Sequence, residues 1–318
     1  MLRLIDNWRR SHTNGRTLWV IPAVLVLLAA LTWTVGAQET KQRTFSSPQE
    51  ALTTLVQAVR AGDKETVRAI LGPESEEIIS SGDPVSDKAD RDRVLAAYDD
   101  QADFVTHENN KVEVILGHDN WPFPIPIVKG DQGWLFDTAA GKEEILNRRI
   151  GRNELDTIQV CEGFVEAQRE YASADREQDG IIQYAQKIIS DPNMRNGLYW
   201  EPAEGEVPSP AGPFMARAAA EGYKRGEKPI PFHGYYYRIL KAQGKKAPGG
   251  AYNYVINGHM VAGFALVAWP AEYGVSGIMT FVVNQNGIVY EKDLGPKTAK
   301  TAEAMTQYNP DQTWKRSQ

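Results

Sequence analysis

VAGFALVAWPAEYGVSGIMTFVVNQNGIVYE, residues 261–291, is the stretch that decides the fold class of this chain of 318 residues. Val261, Ala265 and Val267 oppose Ala262, Phe264 and Leu266, and Ile278, Thr280 and Val282 oppose Met279, Phe281 and Val283. A period of two belongs to extended strands whose side chains alternate between faces. Asn284-Gln285-Asn286-Gly287 has the composition of a hairpin turn and leads into Ile288–Glu291. Upstream, Tyr235, Tyr237 and Ile239 oppose Tyr236, Arg238 and Leu240, so an antiparallel meander of about four strands is expected. A short helix near Ala302–Met305 and a polar tail follow it.

Toward the N-terminus the period changes to that of helices. After a short polar linker, Lys41–Thr44, Ser47 is placed to cap a helix, Pro48 to occupy its first position, and Glu50 to complete a capping box. Ala51, Leu52, Leu55, Val56 and Val59 share one face, and Gly62 ends the run. A second helix starts at Asp63, carries Val67, Ile70 and Leu71, and stops at Gly72-Pro73. Residues 80–92 are polar and predict a loop, followed by a short helix around Val94, Leu95 and Tyr98. Lys111–Leu116 alternates as a strand, the prolines of Trp121–Val128 confine that segment to an edge or irregular strand, and Gly133–Asp137 is a short strand. From Gly141 to about Ser173 the pattern is helical, with an interruption expected at Gly151 and Asn153 as a cap for the second piece. Ile181, Ile182, Ala185, Ile188 and Ile189 predict another helix, and Pro213–Glu221 one more within a Pro- and Gly-rich stretch.

The fold class is therefore α+β, with N-terminal helices on a small curved sheet, then a long helix with an antiparallel meander. Length suggests two modest domains, over 45–140 and 141–318. Ahead of them, Thr17 to Gln38 contains no charge, follows Arg3, Arg9, Arg10 and Arg16, and includes Val35-Gly36-Ala37. That pattern predicts an export signal cleaved after residue 37, or an uncut anchor of the length a bilayer requires. In both cases the arginine-rich end stays in the cytoplasm, and the rest lies in the periplasm or on the extracytoplasmic face of the inner membrane. The membrane is then touched only through residues 17–38.

The formal charge of the whole chain is −6, and loss of the four arginines and one aspartate of residues 1–37 leaves −9. An acidic chain with no cluster of Lys and Arg after residue 38 excludes nucleic acid as the expected partner. Cys161 stands alone, so no disulfide within the chain is available and the core alone must hold the fold.

The segments FVEAQREY (Phe164–Tyr171), DGIIQYAQ (Asp179–Gln186), GLYW (Gly197–Trp200), HGYYY (His233–Tyr237) and FALVAWPAEYGVSGIM (Phe264–Met279) resemble the bacterial family called domain of unknown function 2950, over roughly residues 45–315. That resemblance implies membership and no particular activity. In element order, the N-terminal helices and sheet are similar to the nuclear-transport-factor-2-like cone, and residues 153–293 resemble the globular heads of pilins and pseudopilins. Filament assembly is not implied, because a whole domain separates the apolar N-terminal segment from that head.

No catalytic motif stands out. The five histidines, His12, His107, His118, His233 and His259, form no His-Glu-x-x-His pair, and Cys161 sits in no nucleophile signature. Tyr235 and Tyr237, with Trp200 and Trp269, could form an aromatic face for a sugar ring or a protein, though strand tyrosines also serve ordinary packing. Asp175, Glu177 and Asp179 take the first, third and fifth positions of a calcium loop and Gly180 its turn, while Gln186 replaces the closing carboxylate. The expected role is a non-catalytic binding or assembly-support component of the cell envelope, whose partner is an envelope protein or cell-wall glycan. The alternative is a periplasmic glycan-binding protein or hydrolase using the aromatic face and carboxylates such as Glu201 or Asp293.

Overall fold

Two short helices open the described part of the chain, and their ends follow from local chemistry. The computed structural model describes residues 42–203, 205–221, 223 and 230–317, so the expected export segment lies outside the described residues. In α1 (Pro48–Ala61) the Ser47 side chain accepts from the backbone N–H of Glu50, and Gly62 closes the helix at φ 69°. The Glu50 carboxylate reaches back to Ser46 N and Oγ, one residue earlier than a capping box requires. Asp63 caps α2 (Lys64–Leu71) by accepting from Thr66 N. The expected linker is packed from Gln42 on: its side-chain amide donates to the carbonyls of Ile70 and Phe136.

A short α3 (Glu76–Ile79) precedes α4 (Pro84–Asp100), and five strands follow: β1 (Ala102–His107), β2 (Lys111–Leu116), β3 (Trp121–Pro122), β4 (Ile127–Gly130) and β5 (Gly133–Phe136). Their antiparallel sheet has the order β1-β2-β4-β5, with β3 also paired to β2. Val112, Val114 and Leu116 alternate inward on β2 and join Leu52, Leu55, Ile70, Ile127 and Phe136 in the first core.

The long helix α5 (Thr138–Tyr171) leaves this core and enters a second one. Ile145 packs on the first core, whereas Cys161, Phe164 and Val165 belong to the second. After an extended stretch and α6 (Gly212–Glu221) comes β6 (Tyr235–Leu240). Two small ladders pair β7 (Ala242–Gln243) with β8 (Tyr252–Asn253) and β9 (Val255–Ile256) with β10 (His259–Met260). Then come β11 (Ala265–Pro270), β12 (Met279–Asn284), β13 (Tyr290–Asp293), α7 (Thr298–Glu303) and β14 (Lys315–Arg316). The second sheet has the order β14-β13-β12-β11-β6 and is antiparallel throughout. The expected meander is present, and the expected polar tail adds β14 to its edge. Mixed α+β architecture follows, with two hydrophobic cores that α5 joins within one compact unit.

Three local expectations change. Residues 84–92 are helix, because Asp83 accepts from Val85 N and Ser86 N while Pro84 supplies the first position of α4. No break occurs at Gly151. Asn153, expected as a cap, is buried within α5 and donates its amide to Ser276 O at 2.9 Å. Residues 181–189 are extended: the Gln168 amide bonds both N and O of Ala185, Tyr184 N donates to Met260 O, and Ile189 bridges Tyr199. Tertiary partners here satisfy the backbone that a helix would have satisfied internally.

Candidate functional site

The first core is not closed. A cavity of about 790 Å³ lies among α1, α2, α4, the first sheet and the start of α5. Leu52, Leu55, Val56, Val94, Leu95 and Phe123 are among the side chains that make its wall apolar. Its volume is in the range of pockets that enclose a small molecule.

Charged residues also line this cavity, and they are unbalanced. Lys64, Arg91, Arg93, Arg148, Arg149 and Arg152 contribute six cations, against Asp87 and Asp90. Asp87 is occupied by Ser81, accepting from its N and Oγ. Asp90 accepts from Arg93 and, at 2.9 Å, from Arg152, which is the only hydrogen-bonded link between α4 and α5 among the described residues. Arg148 pairs with Glu144 at 2.7 Å. Buried Arg149 donates to the carbonyls of Glu77 and Ile78, at 2.6 and 2.9 Å, and burial holds its guanidinium below the ordinary value against the pull of Asp87 and Glu272. Arg91, half-buried, makes no hydrogen bond or ion pair among the described residues. The sequence shows no Lys and Arg cluster after residue 38; the fold assembles one from α4 and α5.

The aromatic residues do not share one face. Tyr235 is fully buried, packs on Phe281 and donates its hydroxyl to Met279 O at 3.0 Å. Strand register places Tyr235 and Tyr237 on the α5 side of the second sheet, where Tyr237 Oη lies 3.2 Å from Thr157 Oγ1. Trp269 is opposite Tyr236 on the other side, with the Arg238 guanidinium 5.8 Å from its ring centre. Trp200 and Tyr237 do line one groove of about 1380 Å³, together with Glu166, Glu170 and Glu201. Asp293 accepts from Tyr273 Oη and Gly295 N, and it is not part of that groove.

The calcium-loop carboxylates are taken up by neighbouring groups of the protein. Asp175 accepts from Asp179 N and Gly180 N, Asp179 from Ile181 N, and Glu177 from Tyr171 Oη. Among the described residues no group of three or more His, Cys, Asp and Glu side chains is arranged to hold a metal.

Sequence reasoning also missed the seam between the two cores. Asp83 is fully buried, and its second oxygen accepts from Tyr223 Oη at 2.7 Å and Gly234 N at 3.0 Å. His233 lies between Asp156 and Glu221, with ring nitrogens 3.0 and 3.1 Å from their carboxylates. Glu154 Oε1 accepts from Ile278 N and Met279 N. These are positioning contacts that join α4 and α5 to the second sheet.

The profile of a family described as "Protein of unknown function (DUF2950)" matches residues 42–317. This chain belongs to that family. The match spans both cores of this DUF2950 protein and the α5 helix they share. No curated protein and no solved structure matches it. The likenesses to the nuclear-transport-factor-2 cone and to pilin heads therefore remain matters of element order. No helix among the described residues is long and apolar enough to cross a membrane.

Proposed function

We propose that this DUF2950 protein is an exported, non-catalytic binding component of the bacterial cell envelope and that the cavity of its first core is where it binds. The single observation carrying this reading is a mainly apolar cleft of about 790 Å³ that opens beside the first core. Apolar side chains that line an open cleft stay in contact with water, and the apolar surface of a ligand seated there would remove them from it. The charge-free run 17–38 behind four arginines supports export, with the mature part in the periplasm or on the outer face of the inner membrane.

A neutral apolar dye, N-phenyl-1-naphthylamine, tests the binding role. Saturable one-to-one fluorescence enhancement by the folded protein is expected, and Val94→Trp should abolish it while the melting transition persists. Absence of binding, or equal binding by the Val94→Trp variant, contradicts the assignment. For location, a reporter active only outside the cytoplasm, fused after Gln318, is expected to work; N-terminal sequencing then separates a start at Gln38 from a retained Met1. A second reading, binding or hydrolysis of cell-wall glycan, is supported by the groove that Trp200 and Tyr237 share with four glutamates. Saturable turnover of peptidoglycan fragments would favour it over the non-catalytic role.

A further inference from the structure

We infer that the cavity of the first core takes a single-chain amphiphile, with an unbranched apolar tail inside and an anionic head, carboxylate or phosphate monoester, at the arginines of α4 and α5. The inference rests on the reading of that cavity as a binding site. The apolar wall provides for the tail: Leu52, Leu55, Val56 and Leu95 offer no hydrogen-bonding group to a polar ligand.

The head is assigned by charge. Within a chain that is acidic overall, the cavity lining carries six cations and two carboxylates, and both carboxylates already have partners. Nearby acids are also engaged: Glu144 with Arg148, Glu77 with Lys142 and Asp156 with His233. Arg91 keeps its whole donor fork, which matches a carboxylate or phosphate in a bidentate arrangement. Side chains of Arg148 and Arg152 are 39% exposed, so a head group there stays partly hydrated while the tail does not. A neutral apolar molecule would leave the donor fork of Arg91 without a counterpart.

Calorimetric titration of the protein with dodecanoate, decanoate, dodecyl phosphate and dodecanol separates tail from head. One-to-one binding of dodecanoate or dodecyl phosphate is expected, the better of the two identifying the head. Dodecanoate should bind more tightly than decanoate by roughly fifteenfold, about fourfold for each methylene. Dodecanol should bind at least about tenfold more weakly than the better anion, since charge-assisted hydrogen bonds are lost. Arg91→Ala should weaken the anion by about tenfold and leave dodecanol within about twofold, with Arg91→Lys intermediate. Equal affinity for dodecanol and the anions, or an Arg91→Ala effect that is absent or equal for both, overturns the head while the cavity reading stands. Failure of all four to bind overturns the cavity reading as well. Retention on phosphatidylglycerol vesicles without binding of any monomeric chain also overturns the inference, because the ligand would then be a membrane surface.

Discussion

Single residues carry opposite burdens in the two cores. Cys161 is fully buried, and burial pushes its thiol well above the ordinary range, so the thiolate that reacts is scarce and inaccessible. A thiol reagent such as a disulfide dye is therefore expected to label Cys161 only on unfolding; rapid stoichiometric labelling of the native protein would contradict its burial. Exposed Glu50 shows the reverse, its carboxyl held below the ordinary value first by hydrogen bonding to the Ser46 side chain and then to the Ser46 backbone. A carboxylate with a depressed folded value contributes stability above its unfolded value and loses it as pH falls through the folded one. Ser46→Ala should accordingly raise the Glu50 value, followed by NMR titration, and lower stability at neutral pH while leaving it unchanged in acid, so that the loss of stability on acidification becomes shallower. At the seam, Asp83 both caps α4 and holds Tyr223 and Gly234. Asp83→Ala should cost about 3 kcal/mol in denaturant unfolding, and Asp83→Asn less.

At the level of elements, α5 is the piece whose continuity was least visible. Gly151 reads as a breaker in the sequence, yet a Cβ built there meets nothing within 4 Å and the helix runs through it. Gly151→Ala should stabilise the protein by about 0.5–1 kcal/mol. Gly277→Ala should do the opposite, because its Cβ would lie within bonding range of Tyr235 Oη. The same reasoning explains what was legible. Strands β6 and β12 showed themselves through runs of aromatic and β-branched residues, and α1 and α2 through caps whose partners lie within four residues. The beginning of α4 carries the same signal in Asp83-Pro84, masked by a run of charges that a helix with a mixed face tolerates equally well. Residues 181–189 have helical spacing of isoleucines, but Gln168 and Met260 decide their conformation, and no local pattern contains that information.

For the molecule as a whole, the two cores share α5 and are tied by Asn153, Glu154 and Asp83. A single calorimetric transition for residues 42–317 is expected, and two resolved transitions would show that the seam is too weak to couple them. The candidate cavity was scarcely legible in the sequence. Its apolar wall is written in the helix periods, but the space between the elements is set by their tertiary packing, and its arginines are 55 residues or more apart across α4 and α5, counted from Arg93 to Arg148. Aromatic residues were easier to notice and proved harder to group, since strand register sends Tyr235 and Trp269 to opposite sides. The measurement that tests the central claim most directly is methyl NMR with a nitroxide-labelled dodecanoate. Broadening confined to Leu52, Leu55, Val56, Val94 and Leu95 is the result the account predicts; broadening of Leu198 and Leu266 in the groove, or of no methyl group, would contradict it.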